Sequence, residues 1–148
     1  MLTQTLKTLF CRDLERLRQE IDLYKDESDL WHIENDIANS AGNLCLHLIG
    51  NLNTYIGAEL GKTGYVRHRE LEFSLKYIPK AELLSKIDET IKVVEKVLDD
   101  LTDEQLSEEY PILVFAAKTS TQYFLVHLAT HLSYHLGQIN YHRRLLDS

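Results

Sequence analysis

Apolar residues recur along this chain at steps of three and four, a spacing that predicts helices through most of its length. Leu6, Leu9, Phe10, Leu14, Leu17, Ile21 and Leu23 mark the first helix, from about Thr3 to about Tyr24, with charges between them. Asp26-Glu27-Ser28-Asp29 breaks the pattern, and Leu30-Trp31 is expected to pack back on the core as an irregular segment. A second helix opens at Asn39 or Ser40, either a good N-cap, and continues to about Leu60. Gly61, followed by Gly64, reads as its stop. Residues 61–78 form a long connection, of the kind that often carries function.

Pro79 suits the first turn of a third helix carrying Leu83, Leu84, Ile87, Ile91, Val94, Val97 and Leu98. Thr102 and Gln105 stand at capping-box spacing for one short extra turn. Tyr110-Pro111 breaks the chain before a brief apolar run, Ile112–Ala117, and a fourth helix runs from about Ser120 to Leu146. Four long helices with no credible strand set predict an all-α four-helix bundle, one domain over residues 1–148. The long connections after the first and second helices leave the helix order open.

Composition narrows the functions. A net charge of −7 disfavours nucleic acid, which needs clustered Lys and Arg. Ile37–Ala58 and Thr119–His142 are uncharged and long enough to cross a bilayer, but their asparagines, glutamines and histidines are too costly for a lipid-facing span. Both are read as buried helices, with no membrane partner. Lys7, Arg12 and Asp13 interrupt any secretory core. Cys11 and Cys45 are isolated, which points to small core residues in a reducing cytoplasm.

The fourth helix carries the chemistry. His127, His131, His135, Gln138 and His142 recur at steps of four or three and share roughly a quarter of the helix circumference. Leu125, Leu128, Leu132, Leu136 and Ile139 lie beside them, so the histidines border the core. His131 and His135, one turn apart, have the spacing that lets two imidazoles bind one cation. His47, among Leu44, Leu48 and Leu52 on the second helix, is the natural third ligand. Three neutral imidazoles without a fourth protein ligand leave coordination positions open, as in catalytic sites. Asn51 and Gln138 are candidates for hydrogen bonds to the ligands. His127 is expected to stack in the core and His142 to meet solvent, the two capping the stripe.

Several stretches resemble the DinB/YfiT-like superfamily: Asn39-Ser40-Ala41-Gly42, His47-Leu48-Ile49-Gly50-Asn51-Leu52, Arg67-His68-Arg69-Glu70-Leu71-Glu72-Phe73-Ser74 and His131-Leu132-Ser133-Tyr134-His135-Leu136-Gly137-Gln138-Ile139. The HxxxHxGQ segment is the specific part, and the Arg-x-x-Glu-Phe-Ser segment resembles a less studied branch. The resemblance implies a four-helix bundle, often homodimeric, with one divalent ion, zinc or nickel with iron or manganese as alternatives. By position it implies His47, His131 and His135 as ligands. It also implies a metal-dependent hydrolase or a low-molecular-weight thiol transferase, acting on a small molecule such as a thiol or thiol adduct. A non-catalytic metal-containing binding or stress-response module is the alternative, favoured if His127 closes the coordination sphere.

Gly137 in a helix interior implies close approach of another backbone there. Arg67, Arg69 and Glu72 are placed to rim the metal cavity, Glu72 as a candidate general base and Arg69 as a holder of an anionic substrate, beside the plainer reading of a surface pair. Tyr123, Tyr134 and Tyr141 are expected to pack on the fourth helix.

Overall fold

The structure is a computed structural model that describes residues 1–147. Helix α1, Leu2–Asp22, buries Leu6, Phe10, Leu14, Leu17 and Ile21, the face its spacing predicts. A 3₁₀ turn, Glu27–Trp31, then drops Leu30 and Trp31 into the core. Helix α2, Ala41–Leu52, starts where the Ser40 side chain accepts a hydrogen bond from the Asn43 amide. Every one of its residues is buried, which explains its membrane-like apolarity. It continues through a π-helical stretch, Asn53–Ala58, and a last α-turn, Glu59–Gly61.

Helix α3, Arg69–Ser74, lies inside the connection where periodicity predicted none. Helix α4 is Lys80–Asp100, and α5, Asp103–Ser107, is the short turn held by the reciprocal Thr102–Gln105 cap. Helix α6, Thr121–Leu146, opens at the Ser120 cap. Among the described residues there is no strand, only an isolated bridge between Glu109 and Ser120. No helix among them is long and apolar enough to cross a membrane.

Side-chain pairs fix the bundle's topology. Lys7 meets Asp99 and Arg18 meets Asp88, so α1 and α4 are antiparallel. The Asn53 amide donates to Thr90 while Gly57 faces Val93 and Gly61 faces Val97, so α2 and α4 are parallel. His47 faces His131 and Tyr55 faces Phe124, so α2 and α6 are antiparallel. Around the bundle the order is α1, α4, α2, α6. Because α2 and α4 point the same way, the chain between them must travel back along the bundle. That return path carries α3 past the middle of α2, where it packs.

Two glycines depart from the roles expected of them. A Cβ at Gly61 would overlap Val97 Cγ2, so Gly61 serves close packing of α2 on α4. The left-handed residue that ends the helix is Lys62, at φ 53°. Gly137, by contrast, has nothing among the described residues within 4 Å of a would-be Cβ, so none of them makes the close approach its position implied.

Candidate metal centre

His47 comes from the middle of α2, His131 and His135 from successive turns of α6. The Nε2 atoms of His47 and His131 lie 3.2 Å apart, and the His131 and His135 ring centroids 4.6 Å apart. One ring nitrogen from each of the three lies within 4.8 Å of the others. Ligand bonds of about 2.0–2.1 Å in a tetrahedral shell put nitrogens roughly 3.4 Å apart, so the His47–His131 spacing already fits one ion. The donor set, three imidazoles and no thiolate, suits zinc, nickel or iron.

The remaining ring nitrogens show how the set is oriented. Glu72 Oε1 accepts the Nδ1–H of His47 at 3.0 Å, and Gln138 Oε1 accepts the Nδ1–H of His135 at 2.7 Å. An ionised carboxylate can only accept, so His47 carries a proton on Nδ1, and the tautomer this bond selects is the one whose Nε2 lone pair can face a metal. Arg67 grips the same carboxylate with two hydrogen bonds, Nε to Oε2 at 2.8 Å and Nη2 to Oε1 at 3.0 Å. Burial alone would raise the Glu72 carboxyl; hydrogen bonds from His47 and Arg67 and the Arg67 charge outweigh it and hold it below its ordinary value. Glu72 is only 7% exposed. It reaches His47 because α2 has no side chain at Gly50, where a Cβ would fall inside the carboxylate.

His131 lacks such a partner. Its Nδ1 is buried without a hydrogen bond, as is Oδ1 of Asn51, one turn past His47. Burial, reinforced by His135, His47 and His127, pushes the His131 imidazole down to about 4, and burial also lowers His135 against its Gln138 bond. Burial thus favours the neutral, metal-binding form of His131 and His135, whose ring nitrogens face His47.

The chain matches, over residues 4–148, a family model described as a protein of unknown function (DUF1572). It belongs to the DUF1572 family. No curated protein matches it.

In this DUF1572 chain His127 stands apart from the three clustered histidines, its ring edge-on to Phe115 at 4.8 Å and 6.4 Å from His131. Arg69 is exposed, its guanidinium 5.5 Å from the centre of the Phe73 ring, which in turn lies 5.0 Å from His47. His142 does not meet solvent. It is 5% exposed, its Nε2–H donates to the His32 carbonyl at 2.8 Å, and its Nδ1 accepts from the Tyr24 hydroxyl at 2.7 Å. Its partners come from the segments that follow α1 and the 3₁₀ turn, which helical spacing alone could not reveal.

Beside the triad a cavity of about 570 Å³ opens between α6 and the segment before α2, with His135 and Gln138 on its wall. Tyr134 and Tyr141 line it and are otherwise exposed, as is Tyr123, so these tyrosines project outward from α6 and are not packed as expected. Neither cysteine offers a nucleophile: burial raises the Cys11 thiol to about 11 and the Cys45 thiol to about 12.

Proposed function

We propose that this protein is a metal-dependent enzyme of the DinB/YfiT-like superfamily, a hydrolase or low-molecular-weight thiol transferase built on His47, His131 and His135. The observation that carries this reading is the convergence of three imidazole nitrogens beside an open cavity, two of the rings oriented by Glu72 and Gln138. A divalent ion held this way keeps its full charge and polarises a water, thiol or carbonyl brought to it. Zinc or nickel is the expected ion, with iron or manganese as alternatives.

The chain's own residues supply orientation. Glu72, with both oxygens engaged, acts as a positioning residue for His47 and is a poor general base. His131 Nδ1 and Asn51 Oδ1 are both buried without a hydrogen-bond partner, one a potential donor and the other an acceptor. A non-catalytic module closed by His127 as fourth ligand is less well supported, because that ring is turned onto Phe115. The outward residues of α6, including Tyr123, Val126 and Tyr134, are exposed on the same helix as the uncovered Gly137, which supports a homodimer through this helix. A cytoplasmic protein fits the raised, unpaired thiols.

Elemental analysis of the purified protein, before and after chelation, tests the reading. About one divalent ion per chain is expected, lost together with hydrolase or thiol-transfer activity in His131→Ala. Activity retained by metal-free His131→Ala would overturn it.

A further inference from the structure

The cavity beside the triad is chemically one-sided. Leu44, Ile37 and Leu145 give it apolar walls, and Tyr134 and Tyr141 add two aromatic rings. Asp36 is its one fully charged lining residue, and no lysine or arginine lines it among the described residues. Asp36 is exposed, so its carboxylate meets a ligand without first being stripped of water. The Tyr141 ring already carries a cation, the Arg144 guanidinium lying 5.4 Å from its centre. The stretch of α6 from His135 to Leu145 covers roughly 15 Å, enough for a ring and a short chain. A volume of about 570 Å³ is within the ordinary range for small-molecule sites.

We infer that this cavity takes a small organic cation, an arylalkyl- or alkylammonium compound whose body lies along Tyr134 and Tyr141 and whose ammonium pairs with Asp36. An anionic ligand would meet the Asp36 carboxylate on walls that no described lysine or arginine lines, the neighbouring Arg144 being stacked on Tyr141, in a chain of net charge −7. The proposal deepens the metal-enzyme reading and rests on it for one point only, that the ligand's reactive end faces His135. Binding of the ammonium end does not need the ion.

Phenethylamine and 3-phenylpropanoate, similar in body and opposite in charge, separate the two. Each is titrated at neutral pH into chelator-treated and zinc-loaded protein, followed by calorimetry and by the Tyr134 and Tyr141 ring resonances. In chelator-treated protein the amine is expected to bind about fivefold more tightly than the acid, the size of one exposed ion pair, and to shift both tyrosines. Asp36→Asn, a change at an exposed position, is expected to erase that preference. Equal or tighter binding of the acid to chelator-treated protein, a preference unchanged in Asp36→Asn, or no binding of either compound would overturn the proposal. Failure of zinc to bind would instead remove the metal-enzyme reading and leave the amine result standing.

Discussion

Glu72 and His47 are joined by a 3.0 Å hydrogen bond made possible at Gly50 of α2, where a side chain would occupy the place of the carboxylate. The bond sets which nitrogen of His47 faces the other two imidazoles. A residue twenty-five places along the chain therefore governs the ligand's tautomer.

Gly50→Ala should displace the Glu72 carboxylate, since the new methyl would occupy its place. Zinc affinity is expected to fall about 10–100-fold, the usual effect of losing a hydrogen-bond partner behind a ligand. Competition with a chromogenic chelator measures it. Gly137→Ala is the control: its Cβ enters open space, so the monomer should gain up to about 1 kcal/mol of helix stability with zinc affinity unchanged.

Glu72→Gln keeps the shape of the acceptor but loses the charge that Arg67 neutralises. Arg67, 13% exposed at its side chain, would be left a half-buried cation without its partner. Both lower zinc affinity and a lower unfolding midpoint are expected, the second persisting in chelator. An unchanged midpoint in metal-free protein would show that the pair does not support the bundle.

Zinc itself should stabilise the fold. At a free concentration about a hundred times Kd the gain is about 2.7 kcal/mol, or roughly 5–10 °C in Tm for a chain of this size. Calorimetric scans with and without zinc should show the shift in the natural protein and none in His131→Ala.

His142 adds to the pH dependence of stability that the lowered His131 and His135 bring. Burial lowers it below its ordinary value even though its Nε2–H meets the His32 carbonyl. In the unfolded chain the ring titrates near ~6.5. Acidification therefore protonates the unfolded state first. Its share of stability is intact above that pH and is lost as pH falls toward the folded value. Asp29, which favours the charged ring, reduces the loss without reversing it. In chelator, the urea midpoint should drop between pH 7.5 and 5.5, and less steeply in His142→Gln. At pH 7.5 that variant should already be about 1–3 kcal/mol less stable, because Tyr24 and the His32 carbonyl lose partners.

The three candidate ligands could be read from the sequence because each depends only on position along a helix. His131 and His135 share a face by spacing, and the leucines around His47 turn it inward. The capped starts at Ser40, Thr102 and Ser120 were legible for the same local reason. What lay hidden depends on pairing between distant elements. The bidentate grip of Arg67 on Glu72 requires α3 to lie against α2, and the burial of His142 requires Tyr24 and the His32 carbonyl. The glycines mislead similarly, because a missing side chain matters only against a neighbour that the sequence does not identify. Gly61 has that neighbour in Val97, and Gly137 has none among the described residues.

The parallel course of α2 and α4 has a final consequence for how the protein tolerates change. Residues between Gly61 and Lys80 cannot be trimmed to a tight turn, because they must span the bundle and also station Glu72 behind His47 on the way. Small deletions before Arg67 should leave four rods packed and helical while the carboxylate slips out of reach. Ion affinity, rather than solubility or helicity, would then be the first property to fail.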